Sequence, residues 1–181
     1  MELPAFITSL EQAAPGVRIE PGSSIDSQPA IYVEAADALR VFTVLHDAPG
    51  FGFDVLMELT AADYLPREPR YELVYLLVSI ARGQRLRVKV RLPAADPHVP
   101  TVSTIWPAAN WLEREVWDMF GIAFDGHPDP RRLLMPEDWD GYPLRKDFPV
   151  QINMKPHTTE PVQVTEEEFR ATLQRDRLSR Q

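Results

Sequence analysis

The residues of this chain that could carry chemistry concentrate in one stretch, Asn110 to Pro149, which reads NWLEREVWDMFGIAFDGHPDPRRLLMPEDWDGYPLRKDFP. Glu113, Glu115 and Asp118 are close enough in sequence to suggest paired carboxylates for acid/base work. All three fall on one helical segment, with no accompanying pocket signature. A stand-alone enzyme using Glu113 and Glu115 therefore stays as an alternative of another class. The four histidines, His46, His98, His127 and His157, are scattered. There is no HExxH and no histidine pair at i, i+4, so no metal site is expected. His127, in DGHPDP, reads as a turn histidine satisfied by backbone, with proton handling as the other reading. PGFGF at Pro49 to Phe53 holds a lone GxG ahead of a strand, the wrong order for a dinucleotide fingerprint. With no GxSxG and no P-loop either, the chain is expected to bind neither NADH nor flavin and to hold no catalytic residue.

The same stretch reads better as a gripping segment. All four tryptophans, Trp106, Trp111, Trp117 and Trp139, lie in it or just before it. Its first half is a helix. Pro107 suits a first helical position, and Gly121 followed by Ile122 suits a left-handed C-terminal cap. The expected core-facing stripe is Ala108, Leu112, Val116, Met119 and Phe120. Glu115 falls beside that stripe and Glu113 just off its other margin. Arg114 and Asp118 form an i, i+4 pair away from it. A carboxylate at the edge of a packed stripe needs a partner, because desolvating it alone is costly. Arg131, Arg132, Arg145 and Lys146 are the candidates for Glu115, if the chain folds back over the helix. Asp147 belongs to the same charged set.

The second half is a ribbon stiffened by Pro128, Pro130, Pro136, Pro143 and Pro149. Each proline fixes φ and extends its predecessor. A stiff segment loses less entropy on binding. Trp139, Tyr142, Arg131, Arg132 and Arg145 are of the types that dominate interface energetics.

The elements before this stretch must form the platform that presents it. Pro4 to Ala14 reads as a short amphipathic helix stopped by Pro15-Gly16. Val17 to Ile19 and Ile31 to Val33 are short strand candidates. Ala35 to His46 has helical spacing through Ala38, Leu39, Phe42 and Leu45. Phe53 to Leu59 alternates, with Phe53, Val55, Met57 and Leu59 on one face. Tyr71 to Ile80 is apolar on both faces and belongs centrally in a sheet. Leu86 to Leu92 turns Leu86, Val88, Val90 and Leu92 inward and Arg85, Arg87, Lys89 and Arg91 outward. The Arg82-Gly83 turn joins the last two as an antiparallel hairpin. The basic row is either a solvated sheet face or a docking strip for an acidic partner.

The order of elements implies an α+β fold: a mostly antiparallel sheet with helices on one face, an extended proline-rich C-terminal segment and a short terminal helix. The expected divisions are 1–122 for the α+β domain, 123–164 for the partner-binding segment and 165–181 for the terminal helix. The last rests on Thr165-Glu166-Glu167-Glu168 as a capping-box start and on Phe169 and Leu173 at i, i+4. The 181 residues suit one domain with an extension. A net charge of −8 argues against nucleic acid as the main partner. There is no cysteine, hence no thiolate ligation of an iron–sulfur cluster. No run approaches the roughly 20 apolar residues of a membrane span, and MELPAFITSL has no basic n-region.

Glu113-Arg114-Glu115, Asp118-Met119-Phe120, His127, Arg131 and Leu133-Leu134 together resemble the signature of the 30 kDa, or C-type, subunit family of respiratory complex I, the proton-pumping NADH:quinone oxidoreductase. The continuation GHPDPRRLLMPEDWDGYPLRKDFP resembles that family too, so about 40 contiguous residues carry the likeness. The resemblance implies a cofactor-free peripheral-arm subunit of the quinone-reducing module, on the cytoplasmic side of the bacterial inner membrane. It implies the D-type subunit as main partner, with the B-type and I-type subunits, in a complex that uses FMN, iron–sulfur clusters, NADH and quinone. Some members are fused to the D-type subunit; a chain ending at Gln181 is expected to be the separate form. The matching subunit of a membrane-bound hydrogenase or ferredoxin-dependent relative is the alternative.

Overall fold

The computed structural model describes residues 2–149 and Arg170. Residues 1–148 form one compact unit. The linker and terminal helix expected beyond Val150 lie outside the described residues, Arg170 excepted.

The elements follow as α1 (Leu3–Ala13), β1 (Ile19–Gly22), β2 (Ala30–Val33), α2 (Ala38–Asp47), β3 (Val55–Asp63), β4 (Tyr71–Ser79), β5 (Gln84–Leu92), β6 (His98–Pro100), α3 (Ala109–Phe120) and β7 (Ala123–Asp125). The main sheet runs β1-β2-β5-β4-β3, and β6 pairs with β7 in a second, two-stranded sheet. Only β2 and β5 run parallel within the main sheet. The α+β class, the mostly antiparallel sheet and the three helices are as the sequence predicts.

Alternation succeeds where one face is buried. On β5, Leu86, Val88, Val90 and Leu92 are all buried. Phe42 of α2 packs on Tyr75 of β4 with ring centroids 4.5 Å apart. Trp106 packs edge-on against Phe42 and donates its indole N–H to the carbonyl of Phe53 at 3.1 Å. The helices thus cover one face of the sheet.

Several local readings are corrected. In β3 the register shifts between Leu56 and Glu58. A bulge of this kind adds one residue to one strand and flips the alternation. Leu56 is therefore buried, and Met57, expected inward, is 53% exposed. In α2 the inward set is Ala38, Val41, Phe42 and Leu45, while Leu39 faces out. β4 lies inside the sheet, but the middle position belongs to β5.

Three of the four residues of the basic row are engaged within their own chain. Arg87 pairs with Asp26 at 2.9 Å, Lys89 with Glu72 at 2.8 Å, and Arg91 with Glu20 at 3.7 Å. Arg91 also lies 3.7 Å over the Tyr32 ring. These pairs cancel most of the positive field expected of a docking strip for an acidic partner.

Helix α3 ends as predicted, with Gly121 in the left-handed region at φ 70°. Its first turn is tighter than an α-helix, with Asn110 and Trp111 bonding back three residues to Pro107 and Ala108. Its buried face differs from the expected stripe. Ala109, Glu113, Val116, Met119 and Phe120 are buried, and so are Arg114 and Asp118. Ala108 is exposed and Leu112 half-buried. The helix is covered on two sides, by the core and by the ribbon, so polar residues go inside on the ribbon's side.

Candidate functional site

The junction of α3 with the ribbon is built on two fully buried carboxylates. Asp118 accepts three successive backbone N–H groups on one oxygen, from Leu133 at 3.0 Å, Leu134 at 2.7 Å and Met135 at 2.9 Å. Its other oxygen takes the Arg132 guanidinium at 2.6 Å. Burial raises the carboxyl pKa, but the bonds from Met135, Arg132, Leu134 and Leu133 outweigh it and hold Asp118 below its ordinary value. Arg132 also donates to the carbonyls of Trp139 at 2.9 Å and Gly141 at 3.1 Å. One ion pair therefore fixes two separate turns of the ribbon to the helix.

Arg145 closes the end of α3. It donates to the carbonyls of Phe120 and, at 3.3 Å, of Gly121. The last carbonyls of a helix have no intrahelical partner and carry the negative end of the dipole. The guanidinium also lies 4.4 Å over the Tyr142 ring. A β-carbon on Gly121 would run into that ring and into Arg145 itself. Gly121 thus serves both the left-handed cap and this close approach.

The far end of the ribbon, at the expected Lys146 and Asp147, is tied to the sheet by Asp63 and Arg70, which the sequence reading missed. Arg70 is bidentate to Asp63, at 2.8 and 3.0 Å, and bidentate to Asp147, at 2.8 and 2.9 Å. The backbone N–H of Lys146 adds a bond of 2.8 Å to Asp63. The Arg70 hydrogen bonds hold the Asp63 carboxyl well below its ordinary range. Asp63 and Arg70 flank the loop between β3 and β4, and nothing local links them to Asp147, 77 residues beyond Arg70.

Glu113 is the second buried carboxylate. It accepts from the Thr101 hydroxyl at 2.5 Å and from the Val102 N–H at 2.7 Å. Burial pushes its pKa up to about 7, against these two bonds. His127 lies beside it, with Nε2 3.8 Å from the carboxylate. Nδ1 must accept from the Asp129 N–H at 3.0 Å, so Nε2 carries the proton and donates to the Asn110 carbonyl at 3.0 Å. This is the turn histidine expected from DGHPDP. Arg114 donates to the carbonyls of Arg131 and Arg132, each at 3.0 Å, and pairs with Asp129 at 3.3 Å. It does not pair with Asp118.

The remaining candidates are more peripheral. Glu115 is exposed on the opposite side of α3 from Glu113, so the two carboxylates diverge and cannot act as one acid/base pair. None of the four expected cations meets Glu115; Arg132 serves Asp118, Arg145 the helix carbonyls and Arg131 Asp129. Arg131 pairs with Asp129 at 2.7 Å, but its side chain is 72% exposed. Lys146 contributes through its backbone. Trp139 is half-buried and stacks on Phe148 at 6.4 Å. Asp118, Arg114, Arg132 and Arg145 are thus taken up in fixing the ribbon to α3, while Glu113 holds the segment at Thr101 and Val102.

A family described as the respiratory-chain NADH dehydrogenase 30 kDa subunit matches residues 31–153. The chain belongs to this family. The C-type subunit of NADH-quinone oxidoreductase from Methylobacterium sp. strain 4-46 is 44% identical over 148 residues, 82% of this chain and 68% of that one. Among solved structures, Nqo5 of a trypsin-resistant fragment matches with TM-score 0.55 and 36% identity, over 68% of this chain and 98% of that one. A chain of the membrane-bound sulfane sulfur reductase, an archaeal respiratory membrane complex, matches with TM-score 0.68 and 28% identity, over 81% and 85%. The residues that carried the resemblance, Glu113 to Leu134, lie inside the matched family segment and form the junction just described.

Proposed function

We propose that this chain is a cofactor-free, non-catalytic subunit of the quinone-reducing module of bacterial complex I. It assembles with the D-type subunit as its main partner and with the B-type and I-type subunits, peripherally on the cytoplasmic side of the inner membrane. Electron transfer from NADH to quinone, and the coupled proton translocation, run through the FMN and iron–sulfur clusters of other subunits. This chain contributes order and rigidity to them. Among the described residues no helix is long and apolar enough to cross a membrane.

The observation that carries this reading is how the family's signature residues are used. Asp118, Arg114 and Arg132 meet the ribbon, and Glu113 meets Thr101 and Val102. They hold a proline-stiffened segment with its apolar side chains Leu134 and Leu144 outward, 60% and 54% exposed. The sequence holds no cysteine, so no thiolate can ligate a cluster here.

A second reading is favoured by the likeness to the sulfane sulfur reductase chain: the same fold serving a membrane-bound hydrogenase or ferredoxin-dependent relative of complex I. The two separate on purification of the tagged chain from native membranes. A co-purifying D-type subunit together with NADH-oxidising subunits supports the first. A companion chain with nickel ligands and no NADH module supports the second. A chain that purifies alone, free of either set, contradicts both.

A further inference from the structure

Two carboxylates on α3 are fully buried, and their surroundings differ. Asp118 has a guanidinium at 2.6 Å and three backbone N–H donors. Glu113 has no lysine or arginine within ion-pair distance among the described residues; the His127 ring stands 3.8 Å away. The segment after β6 offers Thr101 and the Val102 N–H, both uncharged. β4 offers the buried Tyr75 phenol, whose pKa burial raises well above its ordinary value, with the Glu113 charge adding to that. The ribbon offers His127. Arg114, the next residue on the helix, is turned to Asp129 and two ribbon carbonyls.

The His127 Nδ1 is occupied by the Asp129 N–H that donates to it. The Thr101 hydroxyl, by contrast, has two acceptors in reach, Glu113 at 2.5 Å and Ser103 at 2.8 Å, and a single proton to give. With Glu113 protonated, the carboxyl donates to Thr101 and the Thr101 hydroxyl turns to Ser103. With Glu113 ionised, the Thr101 hydroxyl must turn back to it, and the charge is left without a cation. An isolated buried charge is costly, and water that reaches it relieves that cost. The route for water is the cleft of about 120 Å³ lined by Glu113, Arg114, Trp117, Phe124, His127 and Pro130. Its outer wall, His127 to Pro130, is the start of the ribbon.

We propose that the Glu113 carboxyl is a proton-operated latch on the start of the ribbon: protonated, it lets residues 127–130 close against α3; ionised, it opens that edge to water. The burial that lifts the carboxyl to about 7 places the change near neutral pH. The latch needs only this chain, so its failure leaves the assembly reading standing, and the failure of that reading leaves the latch standing.

The test is amide hydrogen exchange on the full chain between pH 5.5 and 8.5, corrected for intrinsic base catalysis, with the Glu113 side-chain carboxyl followed by carbon NMR. The expected result is at least a tenfold fall in protection at Asp129 through a one-proton transition near pH 7, tracking the carboxyl signal. Glu113→Gln can donate to Thr101 and accept from Val102 as the protonated acid does, so it keeps Asp129 protected across the range. A carboxyl that titrates below pH 5.5, a wild type without the transition, or the same fall in Glu113→Gln would overturn the latch. Should Glu113→Gln not fold, the wild-type carboxyl titration and the wild-type exchange profile decide between these outcomes by themselves.

Discussion

At the scale of single residues, two buried carboxylates on one helix should respond to mutation in opposite ways. Asp118→Ala leaves Arg132 without its counter-charge and three ribbon N–H groups without their acceptor. Breaking a buried pair this way costs about 3–5 kcal/mol, read as a shift of the urea midpoint. Arg131→Ala, at a 72% exposed side chain, should cost under about 0.5 kcal/mol in the same assay. Glu113→Gln should have no large cost and should change the pH profile. The folded state keeps a proton on Glu113 between pH 4.5 and about 7 that the unfolded chain has lost. Wild-type stability therefore falls as pH rises through that window and levels off above it, by up to about 3 kcal/mol. Glu113→Gln removes that slope in denaturant titrations run from pH 4.5 to 8. Asp118 and Asp63 have depressed pKa values and work the other way. Their contribution is present above the ordinary carboxylate pKa and is lost as pH falls below about 4.

At the scale of elements, the ribbon is held at three points: Asp118 with Arg132, Arg145 on the end of α3, and Arg70 with Asp63 and Asp147. Gly121→Ala strikes the middle one. It puts a side chain into a left-handed residue, about 1 kcal/mol by itself, and drives a β-carbon into Tyr142 and Arg145. A total loss of about 2–4 kcal/mol is expected, with earlier tryptic cleavage after Arg145 and Lys146. Arg70→Ala should release the far end in the same proteolysis assay, because it strips both Asp63 and Asp147 of their counter-charge.

How much of this was legible in the sequence follows from what each pattern assumes. Alternation read β5 correctly because one side of it is core and the other open. It misread β3 because a bulge at Leu56–Glu58 breaks the period. The apolar stripe misread α3 because a helix covered on two sides buries satisfied polar residues, and composition does not distinguish those from solvated ones. The fold-back over α3 was legible in the charge and proline content, but Glu115 was the wrong acid to place under it. The β6–β7 pair, three residues each, is too short to leave a period. The Asp63–Arg70–Asp147 cluster joins distant positions, and no local signal marks it.

At the scale of the whole molecule, under the proposed function the domain is a mount and the ribbon is what it presents. Leu134 is 60% exposed although its N–H is locked to Asp118 at 2.7 Å. Such an anchor contributes apolar contact to a partner at little ordering cost. On this view the chain acts through assembly and not through chemistry. Leu134→Asp probes that directly, since the substitution sits outside the domain core and leaves the side chains of every buried ion pair in place. In membranes carrying this variant, the amount of assembled complex and its NADH:quinone oxidoreductase turnover per assembled complex are measured together. At least a tenfold drop in assembled complex is expected, with turnover per complex unchanged. Full assembly, whether turnover falls or not, would contradict a role through assembly at this surface.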